Sequence, residues 1–94
     1  MKRELLLYTT SGCHLCEQAT ELLRPLLRRY KLSLREVEIS ASDQLMDQYG
    51  IRIPVLGVEH SQVELAWPFD ERGAERYIKT QLGSRPSPGG WFRR

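Results

Sequence analysis

The amino-acid sequence predicts a single α/β domain, and three observations carry that prediction. The chain has 94 residues, the size of one domain. Short strand-like apolar runs alternate with segments of helical periodicity. Their order is strand–helix–strand–helix–strand–strand–helix, a β-α-β unit followed by a hairpin and a closing helix. Composition agrees, because 40% hydrophobic and 28% charged residues is ordinary for a globular domain.

Glu4 to Thr9 (E-L-L-L-Y-T) is a short apolar run bounded by turn residues and reads as a buried strand. Thr10-Ser11-Gly12 breaks it: Ser11 or Gly12 ends the strand and opens a helix, with Cys13 at or just before its first turn. Leu15, Ala19, Leu22, Leu23, Leu26, Leu27 and Tyr30 recur at helical spacing and form its apolar face. Pro25 lacks an N–H for the Glu21 carbonyl, so a kink is expected there. Arg28, Arg29 and Lys31 complement the dipole at the helix end.

Leu34 to Ile39 reads as the second strand. Its parity is broken, since Leu32 and Leu34 alternate out of step with Val37 and Ile39, and a bulge or a late start would explain that. Ser42 caps a short helix from Asp43 to Tyr49, with Leu45, Met46 and Tyr49 facing inward and Gly50 as its stop. Pro54 to Val58 is the third strand, Glu59 to Gln62 (with His60) a turn, and Val63 to Trp67 a half-exposed fourth strand. Asp70 caps the last helix, which buries Ala74, Tyr77, Ile78 and Leu82 and stops at Gly83. Residues 1–83 are thus the expected domain. Residues 84–94, rich in Pro, Gly and Ser, are the expected flexible tail.

Several function classes recede on composition. Fourteen Lys and Arg against twelve Asp and Glu leave a net charge of +2, too small to imply nucleic acid. The basic cluster Arg24, Arg28, Arg29, Lys31 lacks interleaved aromatics and reads as a solvated helix end. No apolar run approaches the roughly 20 residues of a membrane span. The basic-then-apolar start is too short for a signal-peptide core, so a cytoplasmic protein is expected.

The chemistry lies in two cysteines, Cys13 and Cys16. Their C-x-x-C spacing opens a helix directly after a buried strand, a context that suggests thiol–disulfide exchange. Cys13 falls where unpaired N–H groups and the positive helix end favour a thiolate. Cys16 lies one turn deeper on the same face and reacts second. Cys13 would attack a substrate disulfide, Cys16 would resolve the mixed disulfide, and a cellular thiol reductant would reset the pair. Haem attachment would require His after the second cysteine, where Glu17 stands. A closed zinc site would take four ligands, and only His14 and His60 accompany the cysteines, so no metal site is expected within one chain. An adaptor with dispensable cysteines, or a metal- or iron–sulfur-bridged dimer, stays open. Two readings stand for His14: an imidazolium stabilising the Cys13 thiolate, or a solvated side chain on the first turn.

Y-T-T-S-G-C-H-L-C, then Y-G-I-R-I-P-V-L, then W-P-F-D resembles the glutaredoxin-like family of small bacterial thioredoxin-fold proteins, over about residues 4 to 82. The resemblance implies a four-stranded mixed sheet flanked by three helices, with the third strand antiparallel to the first. It implies a cis Ile53–Pro54 bond with Pro54 against the C-x-x-C. It also implies that the backbone groups of Ile53 stay free to pair with an extended substrate segment. Glutathione-dependent members carry Gly-Gly and an acidic residue before the last helix. Here Trp67-Pro68-Phe69 stands there, and only Asp70 is comparable. No resident cofactor is therefore expected, and glutathione is left open as a co-substrate. Trp67 reads either as a rim residue for an apolar substrate or as core packing.

Overall fold

The computed structural model describes residues 3–59 and 61–82. Expectations placed on His60, on Gly83 and on the 84–94 tail lie outside the described residues. The elements are β1 (Arg3–Thr9), α1 (His14–Tyr30), β2 (Leu32–Glu38), a 3₁₀ turn (Ile39–Ala41), α2 (Asp43–Tyr49), β3 (Val55–Gly57), β4 (Leu65–Ala66) and α3 (Glu71–Leu82). The strands form one mixed sheet in the order β2-β1-β3-β4. β1 runs parallel to β2 and antiparallel to β3, and β4 is antiparallel to β3.

The unbroken apolar run of β1 follows from its central position, with both faces covered. Leu5 and Leu7 join Leu56 of β3 against Ala19, Leu23 and Leu26 of α1 and Ala74, Tyr77 and Ile78 of α3. On the opposite face Tyr8 packs with Val55, Ile39 and Tyr49 of α2. Helices α1 and α3 therefore share one face, and α2 covers the other. Leu5, Leu7, Leu23 and Leu26 are fully buried, and each such side chain stabilises the fold by about 1.5–3 kcal/mol. α1 runs through Pro25 without a break and ends at Lys31, whose left-handed backbone (φ 56°) lets its N–H reach the Leu27 and Arg28 carbonyls.

Several expectations need correction. β2 begins at Leu32 and pairs one-to-one with β1 over its whole length, so there is no bulge. Ile39 is buried from the 3₁₀ turn, where the turning backbone and not strand parity sets its direction. Met46 and Leu15 are not inward-facing; each is 45% exposed. Gly50 stops α2 in a right-handed conformation (φ −51°). Its glycine is required by space, since a Cβ there would sit 2.5 Å from the Met46 carbonyl oxygen. β3 and β4 are shorter than expected, and Val63 is 56% exposed, outside β4. Pro54 has no N–H to extend β3, although its carbonyl accepts the Trp67 N–H at 3.0 Å. No helix among the described residues is long and apolar enough to cross a membrane.

Candidate functional site

The register of the sheet gathers four segments at one end. Thr9 lies opposite Glu38, so β1 and β2 finish together. Tyr8 lies opposite Val55 and Val55 opposite Ala66, so Pro54 enters and Trp67 leaves the sheet at that same end. The loop Thr10-Ser11-Gly12 then delivers Cys13 to the start of α1. Gly12 turns with φ 75°, a conformation that side-chain-bearing residues adopt at a cost.

Cys13 is the N-cap of α1. Its Sγ accepts the Cys16 N–H at 3.2 Å, and its carbonyl accepts the Glu17 N–H at 3.2 Å. The two cysteines are joined as a disulfide with Cα atoms 5.2 Å apart, within the range such bonds require. Cys13 is half-exposed, whereas Cys16 is only 4% exposed. The Thr20 hydroxyl donates to the Cys16 carbonyl at 3.1 Å. One sulfur at the mouth of a helix faces water and its partner lies beneath it.

A cleft of about 220 Å³ opens beside the pair, lined by Thr10, Ser11, Cys13, Cys16, Glu36 and Glu38 among others. Glu38 ties its walls together. Its carboxylate accepts the Thr10 hydroxyl at 2.7 Å, the Ser11 hydroxyl at 3.4 Å and the Ser40 hydroxyl at 2.8 Å, as well as the Ser40 N–H at 3.2 Å. Those hydrogen bonds, from Thr10 foremost and then Ser40, hold the Glu38 carboxyl below the usual carboxylate range. The sequence reading missed this clamp. The signal available was a carboxylate at the end of the strand after α1, together with two hydroxyls just before the first cysteine.

The other expected site residues divide. His14 is exposed, and its Nδ1 lies 3.7 Å from Glu17 Oε1. The Ile53–Pro54 bond is cis, as is Trp67–Pro68, which the sequence reading did not anticipate. The expectation for Ile53 needs correction: its N–H donates to the Tyr49 carbonyl at 3.2 Å, because the chain turns there. That carbonyl also takes the Arg52 N–H at 2.8 Å. The Arg52 guanidinium sits 5.5 Å over the Tyr49 ring and 3.5 Å from Glu64, so the turn is held from both sides. Trp67 is half-buried against the core and meets Phe69 edge-on at 5.1 Å. Asp70 is exposed, and its Oδ1 accepts the Gly73 N–H at 2.7 Å, capping α3. Among the described residues, no group of three or more His, Cys, Asp or Glu side chains could hold a metal ion.

Comparison with known proteins agrees with this architecture. The family model described as Glutaredoxin-like domain (DUF836) matches residues 4–79. The X-ray structure of target protein XcR50 from X. campestris is 36% identical with a TM-score of 0.68, covering 81% of this chain and 96% of that one. The solution structure of protein Ne2328 from Nitrosomonas europaea is 30% identical with a TM-score of 0.69, covering 82% and 92%. A malarial protein at 16% identity and a TM-score of 0.60, covering 87% and 99%, shares the fold alone. No protein with a curated description matches the chain.

Proposed function

The chain belongs to the glutaredoxin-like family, with a thioredoxin-like fold and a C-x-x-C pair, and from that premise we propose that it is a thiol–disulfide oxidoreductase. Its substrates are protein or small-molecule disulfides, and Cys13 and Cys16 carry the exchange. The observation that supports this most directly is the unequal pair at the start of α1: a half-exposed Cys13 bonded to a buried Cys16.

In the dithiol form, Cys13 is the nucleophile. Its sulfur position receives the Cys16 N–H and the positive end of a 17-residue helix. The helix end favours a negative charge by about 0.3–1 kcal/mol. The Cys13 thiolate attacks one substrate sulfur, the substrate S–S bond breaks, and the leaving thiolate takes up a proton. Cys16 then loses its proton, attacks Cys13 Sγ and expels the second substrate thiol. A cellular thiol reductant returns the disulfide to the dithiol, and the cytoplasm is the proposed compartment. An extended substrate segment would find the Ile53 carbonyl available beside Pro54, while the Ile53 N–H is already committed to Tyr49. His14 is oriented toward Glu17, which favours a solvated role over a thiolate partner.

Two variants test the proposal in an assay of disulfide reduction followed by mass spectrometry. Cys13→Ser abolishes turnover. Cys16→Ser accumulates a mixed disulfide between Cys13 and substrate. Turnover retained in Cys13→Ser overturns the assignment.

A further inference from the structure

The cleft at the dithiol has a charge opposite to that of the whole chain. The sequence carries a net +2. Yet the residues lining the cleft include three carboxylates, Glu17, Glu36 and Glu38, and neither Lys nor Arg. The neighbouring cations are engaged or directed elsewhere. Arg35 bonds Glu4 at 3.3 Å and Arg52 bonds Glu64 at 3.5 Å. Arg24 bonds Glu21 at 2.7 Å. Arg72, Arg76 and Lys79 line a separate groove on α3. His14 offsets Glu17 alone, and only when protonated.

The Glu38 charge is also fixed in place, because Thr10, Ser11 and Ser40 orient its carboxylate at the cleft wall. Asp70 adds a further exposed carboxylate at the same end of the sheet. A substrate disulfide approaching Cys13 therefore meets three side-chain carboxylates, unmatched by any Lys or Arg in the lining of this concave, partly enclosed site. Such clefts concentrate counter-charged substrates and accelerate their capture.

We propose that the dithiol centre selects disulfides flanked by cationic groups, as in a basic polypeptide segment, and discriminates against anionic ones such as glutathione disulfide. The inference rests on the dithiol reading above and names its substrate class. The reaction is unchanged: the Cys13 thiolate, the Cys16 thiol and one disulfide give the protein disulfide and two thiols, one proton coming from Cys16 and the other from solvent.

Three small disulfides separate the charge preference from the chemistry: cystamine (dication), hydroxyethyl disulfide (neutral) and dithiodipropionate (dianion). The fully reduced protein is mixed with each at pH 7, and each rate is divided by that of dithiothreitol with the same probe, which removes leaving-group differences. At about 10 mM ionic strength, where charges act over roughly 30 Å, the normalised cystamine rate exceeds the dithiodipropionate rate by at least about tenfold. At about 1 M salt, where that range falls to roughly 3 Å, the ratio collapses toward unity. Replacing two cleft carboxylates, Glu17→Gln with Glu36→Gln, lowers the low-salt ratio by at least about threefold. Equal normalised rates, or a preference for the dianion, overturn the charge selection and leave the dithiol chemistry standing. Failure to react with the neutral probe overturns the dithiol reading and this inference with it. The salt series needs no variant, so a substitution that fails to fold does not shield the proposal.

Discussion

Replacing Gly12 with alanine isolates the backbone requirement of the loop that presents Cys13. The backbone there has φ 75°, and an added Cβ would meet no atom within 4 Å. The penalty is therefore conformational and not steric. An L-residue in the left-handed region costs about 1–2 kcal/mol. Part of that is offset by the stiffer unfolded chain, by about 0.4–1 kcal/mol. The expected net loss is about 1 kcal/mol, or a melting temperature lower by about 4–8 °C in a domain of this size. Urea unfolding of the oxidised protein measures it, with equal m-values for wild type and variant as the condition for comparison. Gly12→Asn provides the control, since asparagine enters the left-handed region more readily than alanine and should recover much of the loss. An alanine variant as stable as wild type would refute the conformational argument. So would an asparagine variant weaker than alanine, because crowding and not φ would then be at work.

Tyr49→Phe should lose about 1–2 kcal/mol in the same urea assay, because Glu64 loses its phenolic donor while the stacking on Tyr8, 4.1 Å between ring centroids, is kept. Burial, and then the bond to Glu64, raise the Tyr49 phenol above its ordinary range, and burial pushes Tyr77 up to about 12. Stability from the neutral phenols is thus complete below the unfolded value of about 10 and is lost as pH rises through the higher native values, so Tyr49→Phe should flatten the alkaline limb. Lys31→Gly should stabilise the protein by about 0.5–1 kcal/mol in thermal melts, since glycine adopts φ 56° without the strain lysine bears. The Glu38 clamp has the opposite pH sense. Its carboxyl is held below the unfolded value, so the contribution is present above that value and lost as pH falls through the native one. Protection of the Thr10 to Gly12 amides, measured against their intrinsic exchange rate at each pH, should therefore fall in acid, and Glu38→Gln should remove that dependence.

What the sequence made legible was local. The β1 run, the cap of α2 by Ser42 and the C-x-x-C at a helix start each depend on residues within one turn or strand. What it concealed was set across the sheet. β2 takes its limits from pairing with β1, so Ile39, which looks like a strand residue, falls into the turn beyond Glu38. β3 begins only at Val55, since Pro54 has no hydrogen to donate, and it ends at Gly57 although Val58 still packs against the core. The Glu38 clamp was hidden for the same reason. Glu38 and Thr10 stand 28 residues apart, and only the parallel register of β1 and β2 brings them together. The tie between Ile53 and Tyr49 depends on how the chain turns after α2, which composition does not reveal.

Two opposed fields meet at Cys13, and their ranges decide which effect each governs. The N-terminus of α1 acts at contact, through the Cys16 N–H 3.2 Å from the sulfur, and a helix end loses its influence within about a turn. The carboxylates of Glu17, Glu36 and Glu38 lie around the cleft. Across water their attraction reaches about a Debye length, roughly 8 Å at physiological salt. The helix end therefore stabilises the thiolate at the sulfur itself, whereas the acidic wall also acts at longer range, on the molecule approaching it. An attraction confined to approach changes the rate of capture and fades with salt, while a contact at the sulfur persists in it. In the proposed enzyme, substrate choice and sulfur reactivity are accordingly separable. Neutralising the wall should alter which disulfides are taken without abolishing exchange, and removing Cys13 should end exchange for all of them.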